Sequence, residues 1–352
     1  MFPRPRRFIL ALLAPAVAAA IPLGGCRDSR HHDAPADGTI TIIVGGIDKV
    51  IYLPAKLSEQ LGYFADEGLK VRLLSEQGGS TAEISLISGD AQGVVGFYDH
   101  TIDLQTKGKC IQSVVQMANI PGEVEVVSTK MANIIKGPAD FRGKKLGYTS
   151  PGSSTDFLTQ YLAIQHGISS ADYTGVKAGA GSTFIAAIDQ GSIDAGMTTD
   201  PTVAQLLRAG KAKVLVDMRT EEGTRAALGG SYPSSSLYMN CDYVARYGNT
   251  VQKLANALVK SLRYIADHSA ADIASKMPKD FAAGNPALYI EAIHDSKTMF
   301  NRDGRMPPDG AQDVLEVLGR CSANVRGKKE SIDLSKTYTT EFVDQAARAL
   351  AK

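Results

Sequence analysis

The apolar and polar positions of the chain alternate in short, punctuated units. Thr39 to Val44 alternates and is rich in isoleucine and valine, as a β-strand does. Gly45 to Lys49 is a polar turn after it. Leu53, Leu57 and Leu61 recur at helical spacing, with Pro54 suited to the first turn and Gly62 ending the helix. Leu69, Val71 and Leu73 alternate with Lys70 and Arg72, which predicts a second strand. Further strands are predicted at Ile111 to Met117, Lys144 to Tyr148, around Val176 and at Lys213 to Val216. Phe157, Leu158, Tyr161 and Leu162 form a helical stripe ended by Gly167. Val124 to Val127 and Ser236 to Asn240 read as strands that cross between halves of the molecule. Gly223 to Ser236 is rich in glycine, serine and proline and reads as a loop. Beyond it the period is helical, broken at Pro278, Pro286 and Pro307-Pro308.

One stretch occurs twice. Gly79 to Lys109 aligns without a gap on Gly181 to Lys211. The glycines, the Gly-Ser-Thr opening and the closing Gly-Lys coincide, so the punctuation repeats with the apolar pattern. Each copy predicts a helix, a short buried strand, a polar loop and a second helix. Ser80 with Glu83, and Ser153 with Asp156, have the spacing of capping boxes. Ligands of open α/β sheets bind at the carboxyl ends of strands, so two such units facing each other predict a cleft.

The first residues have the form of a targeting segment. Arg4, Arg6 and Arg7 precede an apolar run from Phe8 to Ala20, too short to span a bilayer, and Leu23-Gly24-Gly25-Cys26 follows. This resembles a bacterial lipoprotein signal, which implies residues 1–25 as signal peptide and Cys26 as the lipid-modified first residue. Residues 26–37 then read as a tether. The rest exceeds the size of one ordinary core, so two lobes are expected. Net charge is +1, which gives no electrostatic case for nucleic acid. Cys110, Cys241 and Cys321 permit one disulfide and leave one thiol, with the pairing open. Their spacing is not that of a metal site.

Leu61-Gly62-Tyr63-Phe64-Ala65-Asp66-Glu67-Gly68-Leu69-Lys70-Val71 resembles a signature of the nitrate, sulfonate and taurine type of periplasmic substrate-binding proteins of ABC importers. That family also includes binders of thiamine precursors and aromatic acids. The Gly79 to Gly89 helix, Phe141 to Gly147 and Gln190 to Ala195 resemble it too, in the same order. Gln92 departs from the pattern, which has Asp there, as Asp194 is in the second copy. The resemblance implies an α/β, two-lobe, type II periplasmic-binding-protein fold with two crossover hinge strands. It implies residues 38–124 and 237–352 in lobe I and 125–236 as an inserted lobe II. It also implies closure around one small ligand, ABC permease and ATPase partners, an extracytoplasmic and lipid-anchored location, and a monomer.

Candidate binding residues fall at the predicted strand ends and helix starts. Ser80, Thr81, Ser153, Ser154 and Thr155 lie at helix N-termini, where free N–H groups suit an oxyanion or carboxylate and where capping is the simpler role. Ser182 and Thr183 are their equivalents in the second copy. Tyr98, Asp99 and His100 follow one strand, with Phe97 as an apolar wall. Asp48, Lys49 and Tyr52 follow another, and Thr198, Thr199 and Asp200 face them from the second half. Glu76 and Glu123 lie near the same edge; if either lines the cleft, a bare anion is disfavoured. Without tryptophan, a Trp-lined cage for a quaternary ammonium cannot be built. No cofactor and no metal is expected.

The function expected is capture of a small organic anion or heterocycle for import, without catalysis. Two other classes compete. Thiamine-pyrimidine synthases resemble these binders and use a pyridoxal-linked lysine with a cysteine-rich segment. This chain has no such segment and no HExxH, P-loop or nucleophile elbow. The third class is a ligand-sensing subunit of a receptor.

Overall fold

A computed structural model describes Phe2 and residues 38–350. The signal, Cys26 and the tether lie outside the described residues. Among the described residues ten strands form two five-stranded mixed sheets. β1 (Thr39–Val44), β2 (Lys70–Ser75), β3 (Gly93–Phe97) and β4 (Ile111–Gln116) come from the first part of the chain. β5 (Glu123–Ser128), β6 (Lys145–Tyr148), β7 (Thr174–Lys177), β8 (Ala195–Thr199) and β9 (Ala212–Asp217) follow, and β10 (Ser235–Asn240) returns. The first sheet has the order β2-β1-β3-β10-β4 and the second β7-β6-β8-β5-β9. The two orders match strand for strand. β10 and β5 hold the same place in opposite sheets, each antiparallel to both neighbours. The second sheet is built from one continuous segment, β5 to β9, the first takes back β10 from beyond it, and the chain therefore crosses between the two sheets twice.

The repeated stretch folds as two equivalent units. Helix Gly79–Ser88, β3 and helix Asp99–Gln105 match helix Ser182–Gln190, β8 and helix Thr202–Arg208. Gly89 and Gly191 close the first helices in the left-handed region, which favours glycine. β1 and β3 are buried throughout, as central strands covered on both faces are. Ile43, Ala82, Leu86 and Val94 pack one face of the first sheet, and Val126, Phe184, Ile188 and Leu206 pack the second.

Three local expectations change. Residues 221–228 are a helix rather than a loop. The Thr220 side chain accepts from the Gly223 N–H, Glu221 and Glu222 sit in the first turn, and Thr224 and Leu228 bury one face. Neither capping box forms. The first helix starts one residue before Ser80 and is capped by Gly78, while Glu83 turns to His100. Ser153 donates to the Ser150 carbonyl, and Asp156 accepts from the Gly152 N–H.

A disulfide joins Cys110 to Cys241, and Cys321 is a buried free thiol. The bridge ties the start of β4 to the end of β10 across a sequence separation of 131 residues, a loop that contains the whole second sheet. A cross-link over so long a loop restricts the unfolded chain strongly. Replacing both cysteines by serine is expected to cost about 2–4 kcal/mol. Urea unfolding checks this, and an unchanged midpoint would contradict it.

Candidate functional site

The lobes meet along a line of small residues. Gly78 and Gly79 open the helix of the first copy, and Thr149 and Ser150 follow β6 in the second lobe. A Cβ on Gly78 would stand 2.8 Å from Thr149 Cγ2 and 3.0 Å from Ser150 Oγ. Ser80 Oγ and Ser150 Oγ are 2.7 Å apart and form a hydrogen bond between lobes. A second set of bonds crosses elsewhere. The Val50 N–H donates to the Asp200 carbonyl, and Ser296 Oγ donates to Asp200 Oδ2. The two lobes are thus in contact at two separate places.

Behind this seam lies a buried polar cluster. β5 supplies Glu123 and Glu125, both buried within a strand that is buried along its length. Ser154 Oγ donates to Glu123 Oε1 at 2.6 Å, and Glu123 Oε2 has no hydrogen-bond partner. Asp99 and His100 open the helix after β3. Tyr232 OH donates to Asp99 Oδ2 at 2.7 Å. His100 Nδ1 is 2.6 Å from Glu83 Oε1 and 3.5 Å from Asp99 Oδ1. Asp99 Oδ1, His100 Nε2 and Tyr238 OH have no hydrogen-bond partner. The His100 ring lies 6.3 Å from that of Phe157 and 6.4 Å from that of Tyr238. A Cβ on Gly79 would approach His100 Nε2 too closely to fit, so glycine there leaves the imidazole its space. Lys49 completes the set. Its Nζ donates to the Gly45 carbonyl at 2.7 Å and to the Gln77 carbonyl at 3.3 Å.

These groups reach one another electrostatically. Burial pushes Glu123 up to about 8, a rise that Asp99 adds to and the Ser154 hydrogen bond and Lys49 oppose. Burial pulls Lys49 down to about 8 against the attraction of Asp48 and Glu123. Burial alone would lower the His100 imidazole, but Glu83 and Asp99 outweigh it and hold it at about 9. Burial also raises the Asp99 carboxyl and pushes that of Glu125 well above its ordinary value.

The signs give a pH dependence. Glu123 is raised from 4.5 to about 8, so its contribution to stability is full below pH 4.5 and is lost towards pH 8. His100, raised from 6.5 to about 9, loses its contribution over that later window. Lys49 is depressed, so its contribution is present above pH 10.5 and lost as pH falls through about 8. The melting temperature of the ligand-free chain is therefore expected to fall from pH 5 to pH 8. A curve that rises over that range would contradict these directions.

Of the residues expected from sequence, Lys49, Tyr52, Asp99, His100 and Ser154 gather here. Tyr52 is buried within reach of Glu123 and Asp99. Ser80 lies at the seam and Thr81 is half-buried beside it. Asp48 is exposed, at the lip of a cavity of about 250 Å³ lined also by Lys49, Glu76, Gln77 and Ala180. Tyr98 departs. Its hydroxyl bonds Thr337, and its ring meets Tyr338 in the C-terminal segment. Ser153 and Thr155 bond within their own turn, Thr155 accepting from the Thr149 N–H. Thr198 and Thr199 are buried on β8 opposite Val124 and Glu123. Asp200 accepts from Arg219 and Ser296 instead of facing the cluster. Glu83, Tyr232, Tyr238 and Phe157 were not singled out as binding residues. Glu123-Val124-Glu125 carried a signal, since acids inside a strand that must be buried on both faces need a reason. Among the described residues no group of three His, Cys, Asp or Glu is placed to hold a metal, and no helix is long and apolar enough to cross a membrane.

Two lobes of mixed sheet, with β10 returning to the first after the whole of the second, define an α/β protein of the type II periplasmic-binding-protein fold. The alkanesulfonate-binding protein SsuA of Xanthomonas axonopodis pv. citri, solved with MOPS bound, shares that fold at a TM-score of 0.66 and 16% identity, over 86% of this chain and 98% of its own. A solved structure from Bordetella bronchiseptica RB50 is similar at a TM-score of 0.85 and 34% identity, over 90% of this chain and 98% of its own. Residues 52–271 match the family model described as NMT1/THI5 like, and the chain belongs to that family. The 4-amino-5-hydroxymethyl-2-methylpyrimidine phosphate synthase of Aspergillus parasiticus is a relative at 29% identity over 307 residues, 83% of each chain.

Proposed function

We propose that the chain is the extracytoplasmic substrate-binding component of an ABC importer, which encloses one small organic ligand between its lobes and delivers it to a permease. The observation that carries this is the set of buried polar atoms without partners behind the interlobe seam. Such atoms are costly unless something satisfies them, and a ligand held between closed lobes would do so. Lobe I would comprise residues 38–124 and 237–352 and lobe II residues 125–236. Cys26 would carry the lipid anchor, the chain would act as a monomer, and a separate subunit would hydrolyse ATP. Binding energy would shift the population from open to closed lobes.

The second reading is a synthase, favoured by the Aspergillus parasiticus relative. The absent cysteine-rich segment weighs against it. Thermal-shift screening of the purified chain against sulfonates, nitrate, taurine, aromatic acids and pyrimidines separates the two. A ligand at a hundred times its dissociation constant adds about 2.7 kcal/mol to the folded state. A binder gives a shift with the ligand recovered intact. Consumption of the ligand would overturn the binding reading.

A further inference from the structure

The two sheets match beyond their strand order. β10 pairs with β4 as Ser236 with Gln116, Leu237 with Val115, Tyr238 with Ser113, Met239 with Gln112 and Asn240 with Ile111. β5 pairs with β9 as Val124 with Asp217, Glu125 with Val216, Val126 with Val214, Val127 with Lys213 and Ser128 with Ala212. The register shifts at the same step in both, so Val214 is the counterpart of Ser113. What differs is the outer edge. Along β4 lies the C-terminal segment, parallel, with Tyr338 bridged to Ser113. The Ser113 N–H donates to the Thr337 carbonyl, and the Ser113 carbonyl accepts from the Thr339 N–H, both at 2.9 Å. Ser113 is accordingly 2% exposed, whereas Val214 is 39% exposed. Among the described residues the backbone of residues 213–217 makes no hydrogen bond beyond its own sheet. Open N–H and C=O groups on an edge strand are a template for a further strand.

The open stretch is short. At its far end the helix Glu221–Leu228 closes in, and a Cβ on Gly223 would overlap the Asp217 carbonyl oxygen. A cavity of about 360 Å³ adjoins the strand, with Pro138, Leu162, Leu215, Val216, Ala226 and Ala227 in its walls. At the near end Lys213 is exposed, Lys211 pairs with Asp189, and Lys130 Nζ donates to the Asp189 carbonyl. A second β9 laid on in the same parallel sense would set Lys213 against Lys213, which disfavours another copy of this chain.

We propose that the outer edge of β9 docks a short extended segment of a partner protein, parallel to the strand, with an apolar or aromatic residue opposite Val214 and an acidic residue just before it. The segment takes the Val214 N–H and carbonyl as Thr337 and Thr339 take those of Ser113, and the cavity receives an apolar side chain. Its acidic residue falls at the lysine end of β9. This surface goes beyond ligand capture and does not depend on it.

The segment that covers β4 supplies the probe. Two labelled peptides are compared on the full chain by fluorescence anisotropy. One is Ser-Lys-Thr-Tyr-Thr-Thr-Glu, the sequence of residues 335–341, and the other has aspartate in place of its lysine. The acidic peptide is expected to bind about two- to fivefold tighter, as one exposed charge pair allows. Lys213→Glu is expected to reverse that preference. Val214→Pro removes the open N–H and is expected to weaken both peptides roughly tenfold. Amide hydrogen exchange of the peptide-free chain is expected to be much faster at Val214 than at Ser113, and to slow at Val214 when the acidic peptide is added. A Val214 amide as protected as that of Ser113 before any peptide is added would overturn the proposal. So would binding of neither peptide at millimolar concentration, or binding that Val214→Pro and Lys213→Glu both leave unchanged. The small-molecule thermal-shift screen reads the interlobe site instead, so failure here leaves the binding reading in place.

Discussion

Gly78→Val is expected to weaken ligand binding by roughly ten- to a hundredfold while leaving the ligand-free chain as stable as the parent. Gly78 has φ −160° and ψ 166°, an extended backbone that valine adopts readily, so nothing strains while the lobes stand apart. On closure its Cβ would press on Thr149 Cγ2 at 2.8 Å and on Ser150 Oγ at 3.0 Å. Neither neighbour yields easily. The Thr149 N–H donates to Thr155 Oγ1, and Ser150 is bonded to Ser80 across the seam. Overpacking of this kind costs about 1–3 kcal/mol, and each 1.4 kcal/mol placed on the closed state alone is a factor of ten in affinity. Isothermal titration and chemical unfolding, run on the same preparation, separate the two effects. Gly137→Ala is the control, because nothing lies within 4 Å of its added Cβ. An unchanged affinity in Gly78→Val would mean that the lobes do not close on the ligand along this seam.

The second large effect lies at the other crossing. Arg219 forks onto Asp217, with Nε 3.0 Å from Oδ1 and Nη2 2.7 Å from Oδ2, and its Nη1 donates to Asp200 Oδ2 at 3.0 Å. Asp200 also accepts from the Ala204 N–H and from Ser296 of the helix Pro286–Ser296. The network therefore joins the ends of β8 and β9 to a helix from the C-terminal part of the chain. Arg219→Met would leave the buried Asp200 carboxylate without its cation and is expected to cost about 3 kcal/mol. Asp200→Asn is expected to cost less than half of that. Burial raises the Asp200 carboxyl even with Arg219 beside it, so the pairing does not fully repay the desolvation of the charge. Arg219 also keeps Asp217 in that variant. Urea unfolding of both variants checks the order. A larger loss in Asp200→Asn would mean that the attraction outweighs burial.

The architecture was legible in the sequence because it rests on short-range rules. Apolar alternation placed the strands, and the repeated glycine punctuation placed two equivalent α/β units. The helix at residues 221–228 was hidden because Gly223 and the residues beyond Leu228 read as a loop, while its cap, Thr220, precedes the glycine-rich stretch. The site was legible only in part. Lys49, Asp99 and His100 stand at strand ends, where a cleft in this fold must lie. Glu83 was hidden by its fit to a capping box, and its true partner, His100, is reached only through the tertiary fold. Tyr232 and Tyr238 are far along the chain from Asp99 and His100 and enter the cluster only because β10 crosses back beside β3. Tyr98 misled for a related reason. The residue after β3 looked like a cleft wall, but the C-terminal segment supplies Thr337 as its partner.

The central claim is that two lobes open and close around a ligand, and one comparison tests it without knowing that ligand. Ser80→Cys with Ser150→Cys places two thiols where hydroxyl oxygens now stand 2.7 Å apart, so oxidation would latch the lobes shut. Small-angle scattering of the latched and ligand-free parent chains, both with Cys110–Cys241 intact, measures their radii of gyration. If the lobes move, the parent is measurably larger than the latched form, and a bound ligand brings it down to the latched value. Identical radii in all three states would contradict the clamp and the binding function built on it.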